Sequence, residues 1–144
     1  MGILQENARM DVSRIAVQVY KSPSSTAERI KRLVERGYIR RFIAVLDRRL
    51  VGRPILMITL VKLNQHAAQT LNEFSSQMYQ NPEVQICLHL SGEYDFMLQV
   101  SLKDPSEYQE FLDTKLCNLA MVEKIQSSLV LKECKMEAAL PLLS

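Results

Sequence analysis

The sequence contains no hydrophobic run near the roughly 18 residues that would span a membrane, no tryptophan, only two histidines and only three cysteines. Each shortage removes a class of function. Without a spanning run, and with an opening segment MGILQENARM that lacks the basic-then-apolar layout of a secretory signal, the expected location is cytoplasmic and no membrane partner is expected. Glu6 stands where a myristoylation site wants Ser or Thr. Cys87, Cys117 and Cys134 are widely spaced with no CxxC, which supports neither a disulfide framework nor a zinc site, so buried free thiols are expected. His66 and His89 accompany no GxSxG, no glycine-rich phosphate loop and no metal-ligand cluster. No catalytic residue, metal or cofactor is therefore expected, and both histidines are read as structural.

What the chain does have is charge placed unevenly. Residues 1–53 hold 12 Lys and Arg against 5 Asp and Glu, while residues 54–144 hold 6 against 11. A formal net charge of +2 over 144 residues thus hides a basic part and an acidic part. A polyanion would be attracted to the first and repelled by the second, which suggests one part built for nucleic acid and another for a different task.

Within the basic part, Ser22 to Ile39 reads SPSSTAERIKRLVERGYI. Ser22 can cap a helix with its hydroxyl, Pro23 fits the first helical position where an N–H is not needed, and Gly37 closes the element. On a wheel Ala27, Ile30, Leu33 and Val34 share one face, with Ser25, Arg29, Arg32 and Arg36 opposite. The pattern suits a DNA-recognition helix and equally a solvated basic surface helix. As a DNA reader, Arg29 would reach a guanine edge or a phosphate, Arg32 would be the second contact, and Ser24, Ser25 and Thr26 would donate to phosphates. Asp11 can cap a shorter helix from Val12 to Val19, so two helices joined by Tyr20 and Lys21 form a helix-turn-helix. Tyr38 to Leu46 is expected as a strand, and Gly52 and Pro54 mark a boundary after it. Arg40, Arg41, Arg48 and Arg49 would add sequence-independent attraction to DNA or serve only as solubilising charge.

After Pro54 the pattern is strand, helix, strand, strand, helix, strand: Ile55 to Leu63, a helix around Leu71, Phe74 and Met78, Val84 to Leu90, Tyr94 to Leu102, a helix begun by Asp104, Pro105 and Glu107, and Val122 to Cys134. The expected fold is α+β, with a helix-turn-helix domain over residues 1–53 and a βαββαβ ferredoxin-like domain over 54–144 whose helices cover one face of the sheet. ILMITLVKL is apolar in both alternations, so its second face also needs cover. Ile86, Leu88 and Leu90 are expected toward the helices with Phe96, Leu98 and Val100, leaving Cys87, His89, Met97, Gln99 and Ser101 on the open face. A homodimer through that face follows, as against a monomer that leaves it bare.

In this order and spacing the segments resemble the Lrp/AsnC family, also called feast/famine regulators, over nearly the whole chain. LQENAR at Leu4 to Arg9 is similar to the end of its first helix, and the Ser22 to Ile39 segment to its recognition helix and following strand. Ala44, Asp47 and Gly52 fit its linker, SGEYD at Ser91 to Asp95 resembles its effector-loop motif, and LVLKECKMEAALPL at Leu129 to Leu142 its last strand and tail. The resemblance implies a transcriptional regulator with an N-terminal winged helix-turn-helix for double-stranded DNA and a C-terminal amino-acid-sensing domain. It further implies homodimers paired through their sheets, octameric rings of dimers, and a small amino-acid effector bound where dimers meet, at Ser91, Gly92, Glu93, Tyr94 and Asp95.

Three departures from the family pattern stand out. Set against the family pattern, only the last turn of its first helix is expected before Arg9. Tyr20 and Lys21 replace the usual turn glycine, so a positive φ at Tyr20 would cost on the order of 1 kcal/mol. Ile125 and Ser127 replace a pair of alternate threonines, leaving Ser127 as the hydroxyl for the effector. Some proteins of similar two-domain build are haem-pathway decarboxylases, and a sensing module that no longer binds DNA is a further alternative.

Overall fold

A computed structural model describes residues 1–136 and 139–142. Three helices open the chain: α1 (Gly2–Glu6), α2 (Val12–Gln18) and α3 (Pro23–Glu35). α3 starts as its composition requires. The Ser22 hydroxyl accepts from the Ser25 amide at 3.3 Å, and Pro23 occupies the first turn. It ends on Gly37, whose φ of +75° lies in the left-handed region open to glycine, while the Ile39 amide returns to the Leu33 carbonyl at 3.1 Å. Asp11 takes the cap position of α2 but makes no side-chain capping bond. Between α2 and α3, Tyr20 has a φ of +52°, the strained backbone expected where this chain lacks a glycine.

Only Ile15, Ala16 and Thr26 are buried in this part of the chain. Tyr38 to Leu46 forms no strand; it is irregular and its Tyr38, Phe42, Ile43, Val45 and Leu46 side chains are exposed. A strand requires a neighbour for its amides and carbonyls, and no described segment of this chain pairs with it.

The remainder is β1 (Ile55–Leu63), α4 (Ala68–Tyr79), β2 (Val84–His89), β3 (Phe96–Leu102), α5 (Pro105–Phe111), which runs on as a π-helical turn over Leu112–Leu116, and β4 (Val122–Leu129). The strands form one antiparallel sheet in the order β2-β3-β1-β4, the ferredoxin-like arrangement. Phe74 and Met78 of α4 and Tyr108, Phe111 and Leu116 after β3 pack with Val61, Leu63, Phe96, Leu98, Val100 and Leu102. The Phe74 and Phe96 rings lie 4.6 Å apart. Asp104 caps α5 by accepting from the Glu107 amide at 2.9 Å, and Glu107 reaches back to the Lys103 amide.

On β2 the faces are the reverse of the sequence expectation. Cys87 packs on the core opposite Leu98, and His89 stacks on Phe96 at 5.0 Å. Ile86 and Leu88 instead pair with Gln99 and Met97 and are 38% and 47% exposed. The cause is a register shift between Val84 and Ile86, which inserts one residue and sends every later side chain to the other face. Burial raises the Cys87 thiol pKa, whereas Cys117 and Cys134 are exposed rather than buried.

The chain divides into two compact units, Met1–Val45 with the described residues from Cys134 onward, and Leu46–Glu133. In the first unit the Gln5 amide donates to the Leu140 carbonyl and its oxygen accepts the Leu140 amide, holding the tail on α1. In the second, the linker after Val45 folds back: the Arg53 amide bonds the Arg48 carbonyl, and Arg48 pairs with Glu133. The linker and tail thus belong to different units from those expected on composition alone.

Candidate functional site

Of the residues expected on a DNA-facing surface, Ser24, Ser25, Arg29 and Arg32 are exposed and Thr26 is not. Thr26 is 4% exposed and its hydroxyl has no hydrogen-bond partner among the described residues. The inward stripe of α3 is Thr26, Ile30 and Leu33, and Ala27 and Val34 are exposed, so the helix is turned relative to the wheel drawn from the sequence. The apolar residues of α3 span an arc too wide for one packing face, and the packing of α2 against α3 selects which part is used. Arg32 donates to Glu28 at 3.0 Å, and Lys31 lies 3.7 Å from Glu35. Exposed pairs at this spacing are weak and yield readily to a phosphate. Arg29 has no acidic partner among the described residues, which leaves its guanidinium available for a bidentate contact.

The segment Ser91–Asp95 joins β2 to β3. Gly92 has a φ of +138°, a conformation that L side chains rarely adopt, with open space where a Cβ would stand. The amides of Leu90 and Asp95 are used, donating to the Asp95 and Val61 carbonyls at 2.8 and 2.9 Å. Those of Ser91, Gly92, Glu93 and Tyr94 donate to no described residue. A run of free amides around a glycine is a place for an anion.

Around this turn lie groups of both signs. Glu93 pairs with Lys124 of β4 at 3.1 Å, the Lys124 ammonium sits 5.2 Å from the centre of the Tyr94 ring, and the Tyr94 hydroxyl donates to Gln126 at 2.6 Å. Its hydrogen bond to Tyr94, and then its pairing with Glu93, hold the Lys124 pKa above the ordinary lysine value. Lys124 and Gln126 were not picked out by the sequence, because only the register of β4 on β1 shows that they stand beside the turn.

Two expected effector contacts are engaged elsewhere. Asp95 is 7% exposed, accepts the Leu63 amide at 2.7 Å, and holds His66 at 3.0 Å through its other oxygen. Its carboxylate therefore ties the end of β1 to the turn. Ser127 pairs with Thr59, on the helix-covered side of the sheet. It accepts from Tyr108 at 2.5 Å, and Tyr108 in turn lies 2.7 Å from the Thr59 hydroxyl. Alternation along β4 thus puts Gln126 beside Tyr94 and turns Ser127 to the other face. Among the described residues no group of three or more His, Cys, Asp or Glu is placed to hold a metal ion. No helix of the described residues is long and apolar enough to cross a membrane.

Residues 56–140 match the model of the Lrp/AsnC ligand binding domain, and residues 1–40 match a winged helix-turn-helix DNA-binding model. The chain is 30% identical to the leucine-responsive regulatory protein of Haemophilus influenzae over 92% of its own length and 80% of that protein's. It is 31% identical to the proline dehydrogenase transcriptional activator of Rhizobium radiobacter, covering 92% of this chain and 85% of that one. A Neisseria meningitidis transcriptional regulator, solved as a complex with L-Met, superposes with a TM-score of 0.91 at 31% identity, covering 97% of this chain and 90% of that one.

Proposed function

The chain belongs to the Lrp/AsnC family of transcriptional regulators, and from that premise we propose that it binds double-stranded DNA through α3 and responds to a small amino acid held at the Ser91–Asp95 turn. Its relatives are transcriptional regulators, not enzymes, so the decarboxylase alternative falls away. In this reading the Met1–Val45 unit serves DNA and the Leu46–Glu133 unit serves sensing and assembly.

The observation that carries the effector reading is the turn itself. Four amides without acceptors among the described residues, around a glycine at φ +138°, suit a free carboxylate, and Glu93 offers an acceptor for the ammonium. Lys124 would strengthen the anion end. Because Asp95 is buried and committed to Leu63 and His66, the ammonium falls to Glu93, whose pair with Lys124 is exposed and exchanges readily. The Neisseria neighbour was solved with L-Met, which makes methionine the first ligand to test.

Assembly is supported by the open face of the sheet, where Ile86 and Leu88 stand bare beside Met97. A second copy laid on this face would cover them, and octamers would follow if the dimers then meet near the turn, as the family pattern implies.

Calorimetry with the twenty amino acids tests the site. Wild type should bind one or a few of them, and Gly92→Asp, which forces an L side chain and a negative charge into the turn, should not. Equal affinity in both would place the effector elsewhere. Fluorescence anisotropy on the protein's own promoter region tests the DNA arm: affinity should fall as salt rises, because each phosphate contact releases condensed cations. Absence of salt-dependent binding would leave a sensing module alone.

A further inference from the structure

Asp95 closes the base of the Ser91–Asp95 turn. Its amide donates to the Val61 carbonyl at 2.9 Å, its carbonyl accepts the Leu90 amide at 2.8 Å, and one carboxylate oxygen accepts the Leu63 amide at 2.7 Å. The other oxygen meets His66 Nε2 at 3.0 Å. His66 lies in the connection between β1 and α4, which Asn64 fastens elsewhere: its side-chain amide donates to the Ala120 carbonyl at 2.7 Å and its backbone amide to the Met121 carbonyl at 2.9 Å. Met121 leads into β4, whose Lys124 pairs with Glu93. The turn is thus held twice, by Lys124 through Glu93 and by His66 through Asp95.

The two partners of the second hold differ in their access to water. The His66 side chain is 62% exposed and that of Asp95 is 10% exposed. An imidazole changes charge between about pH 5 and 8, and a ring this open exchanges its proton with solvent freely. Protonated, it makes a charge-assisted contact with the carboxylate; neutral, it makes an ordinary hydrogen bond, roughly half as strong. The neighbouring charges are otherwise engaged: Lys62 pairs with Glu123 and Lys124 with Glu93, each at 3.1 Å, and the first turn of α4 carries no acidic residue. His89, the other imidazole, stacks on Phe96 and meets no carboxylate among the described residues.

We propose that His66 is a positioning residue of the turn. Through Asp95 it holds the Ser91–Asp95 backbone in the conformation that displays its free amides, and it holds that backbone more firmly when its ring is protonated. It acts on the turn rather than on a ligand. Where the turn binds an amino acid, binding then strengthens in mild acid. That consequence rests on the effector reading given above; the positioning claim does not, and the two fail separately.

Amide hydrogen exchange of the ligand-free full chain, corrected for intrinsic rates and compared at about pH 5.5 and 7.5, tests the positioning claim. In wild type the Leu90 and Asp95 amides should be about two- to fivefold better protected at the lower pH, the range that exposed ion pairs carry. His66→Gln should remove that difference, His66→Lys should keep the higher protection at both pH values, and His89→Gln should behave as wild type. Equal protection of wild type at both pH values would overturn the proposal. So would a glutamine variant that keeps the pH dependence, a lysine variant that behaves like the glutamine one, or loss of the effect in His89→Gln. Calorimetry with L-methionine then reads the consequence: wild type should bind it more tightly at the lower pH by a similar factor, and His66→Gln equally at both. A wild-type affinity that does not change with pH would overturn the link to binding. Absence of L-methionine binding would count against methionine as the effector, while the ligand-free exchange still decides the role of His66.

Discussion

The two units of the chain are held by different means. In the sensing unit eleven buried side chains form one apolar cluster between the sheet and its helices. In the DNA-binding unit, among the described residues, only Ile15, Ala16 and Thr26 are buried, and one of these three is an unsatisfied hydroxyl. Helices of 5, 7 and 13 residues are too short to stand alone in water. The first unit therefore leans on local devices, the Ser22 cap, Pro23 and the Gly37 stop, together with one long-range clasp of Gln5 on Leu140. The contrast teaches that burial governs one unit, whereas capping and backbone conformation govern the other.

The sharpest way to break this contrast is to empty the sensing core. Phe74 is fully buried against Phe96, and Phe74→Ala should cost about 3–5 kcal/mol. Thermal unfolding followed by NMR should show the sheet signals melting early while the α2 and α3 signals keep their midpoint. Simultaneous loss of both sets would mean that the units unfold as one and that the contrast has no energetic content.

A smaller effect separates fold from function at the turn. The Asp95 carboxylate accepts the buried Leu63 amide and holds His66, so Asp95→Asn should destabilise the sensing unit by about 1–3 kcal/mol even without effector. Denaturant titration of the ligand-free protein measures this. A variant as stable as wild type would return Asp95 to the list of ligand contacts.

In the DNA-binding unit the gains come from relieving strain rather than from adding contacts. Tyr20 sits at φ +52° and is 93% exposed, so Tyr20→Gly should stabilise the unit by up to about 1 kcal/mol after allowing for the added flexibility of the unfolded chain. Thr26→Val removes a buried hydroxyl that bonds no described residue and keeps the side-chain shape, with a gain of similar or smaller size. It should also leave DNA affinity unchanged, whereas a hydroxyl that donated to phosphate would lower it when removed.

Tyr20 shows what was legible in the sequence: a local backbone demand, written in which residue occupies a turn. The Ser22 cap, the Asp104 and Glu107 box and the element order after Pro54 belong to the same kind, because each depends on residues close in the chain. The errors are all of pairing. Simple alternation sends Ile86 and Leu88 to the helix-covered face, because the inserted residue before Ile86 is invisible in a run that is apolar on both alternations. Thr26 was placed outward because the apolar arc of α3 admits more than one packing face. Ser127 was placed at the turn, and Lys124 and Gln126 were missed, because register across β1 and β4 is a long-range property. Tyr38 to Leu46 has the composition of a strand but no partner within the described chain. The Gly92 turn is thus legible from its glycine, while its neighbours Lys124 and Gln126 come only from the register of the sheet.

The smallest effect concerns acid, and it touches only one unit. Asp104 lies below its ordinary carboxyl value of 3.8, chiefly because the Glu107 amide donates to it. Glu107 lies below its ordinary value of 4.5, chiefly through the Lys103 amide and then through Arg53, which approaches it at 2.5 Å. Both groups are ionised more readily folded than unfolded. Their contribution is therefore fully present above the ordinary carboxylate values and is lost as pH falls through the lower folded ones. Ser22, the equivalent cap of α3, is a hydroxyl and does not titrate in this range. Acidification below pH 4.5 should fray the first turn of α5, seen as faster exchange of the Glu107 amide, while the Ser25 amide of α3 keeps its protection. Asp104→Asn retains an oxygen to accept the amide but not the titrating charge, so it should flatten the α5 response. If the wild-type Glu107 amide exchanged no faster in acid than expected from intrinsic chemistry, or if the asparagine variant kept the same pH slope, the capping carboxylates would not be the acid-sensitive element of the sensing unit.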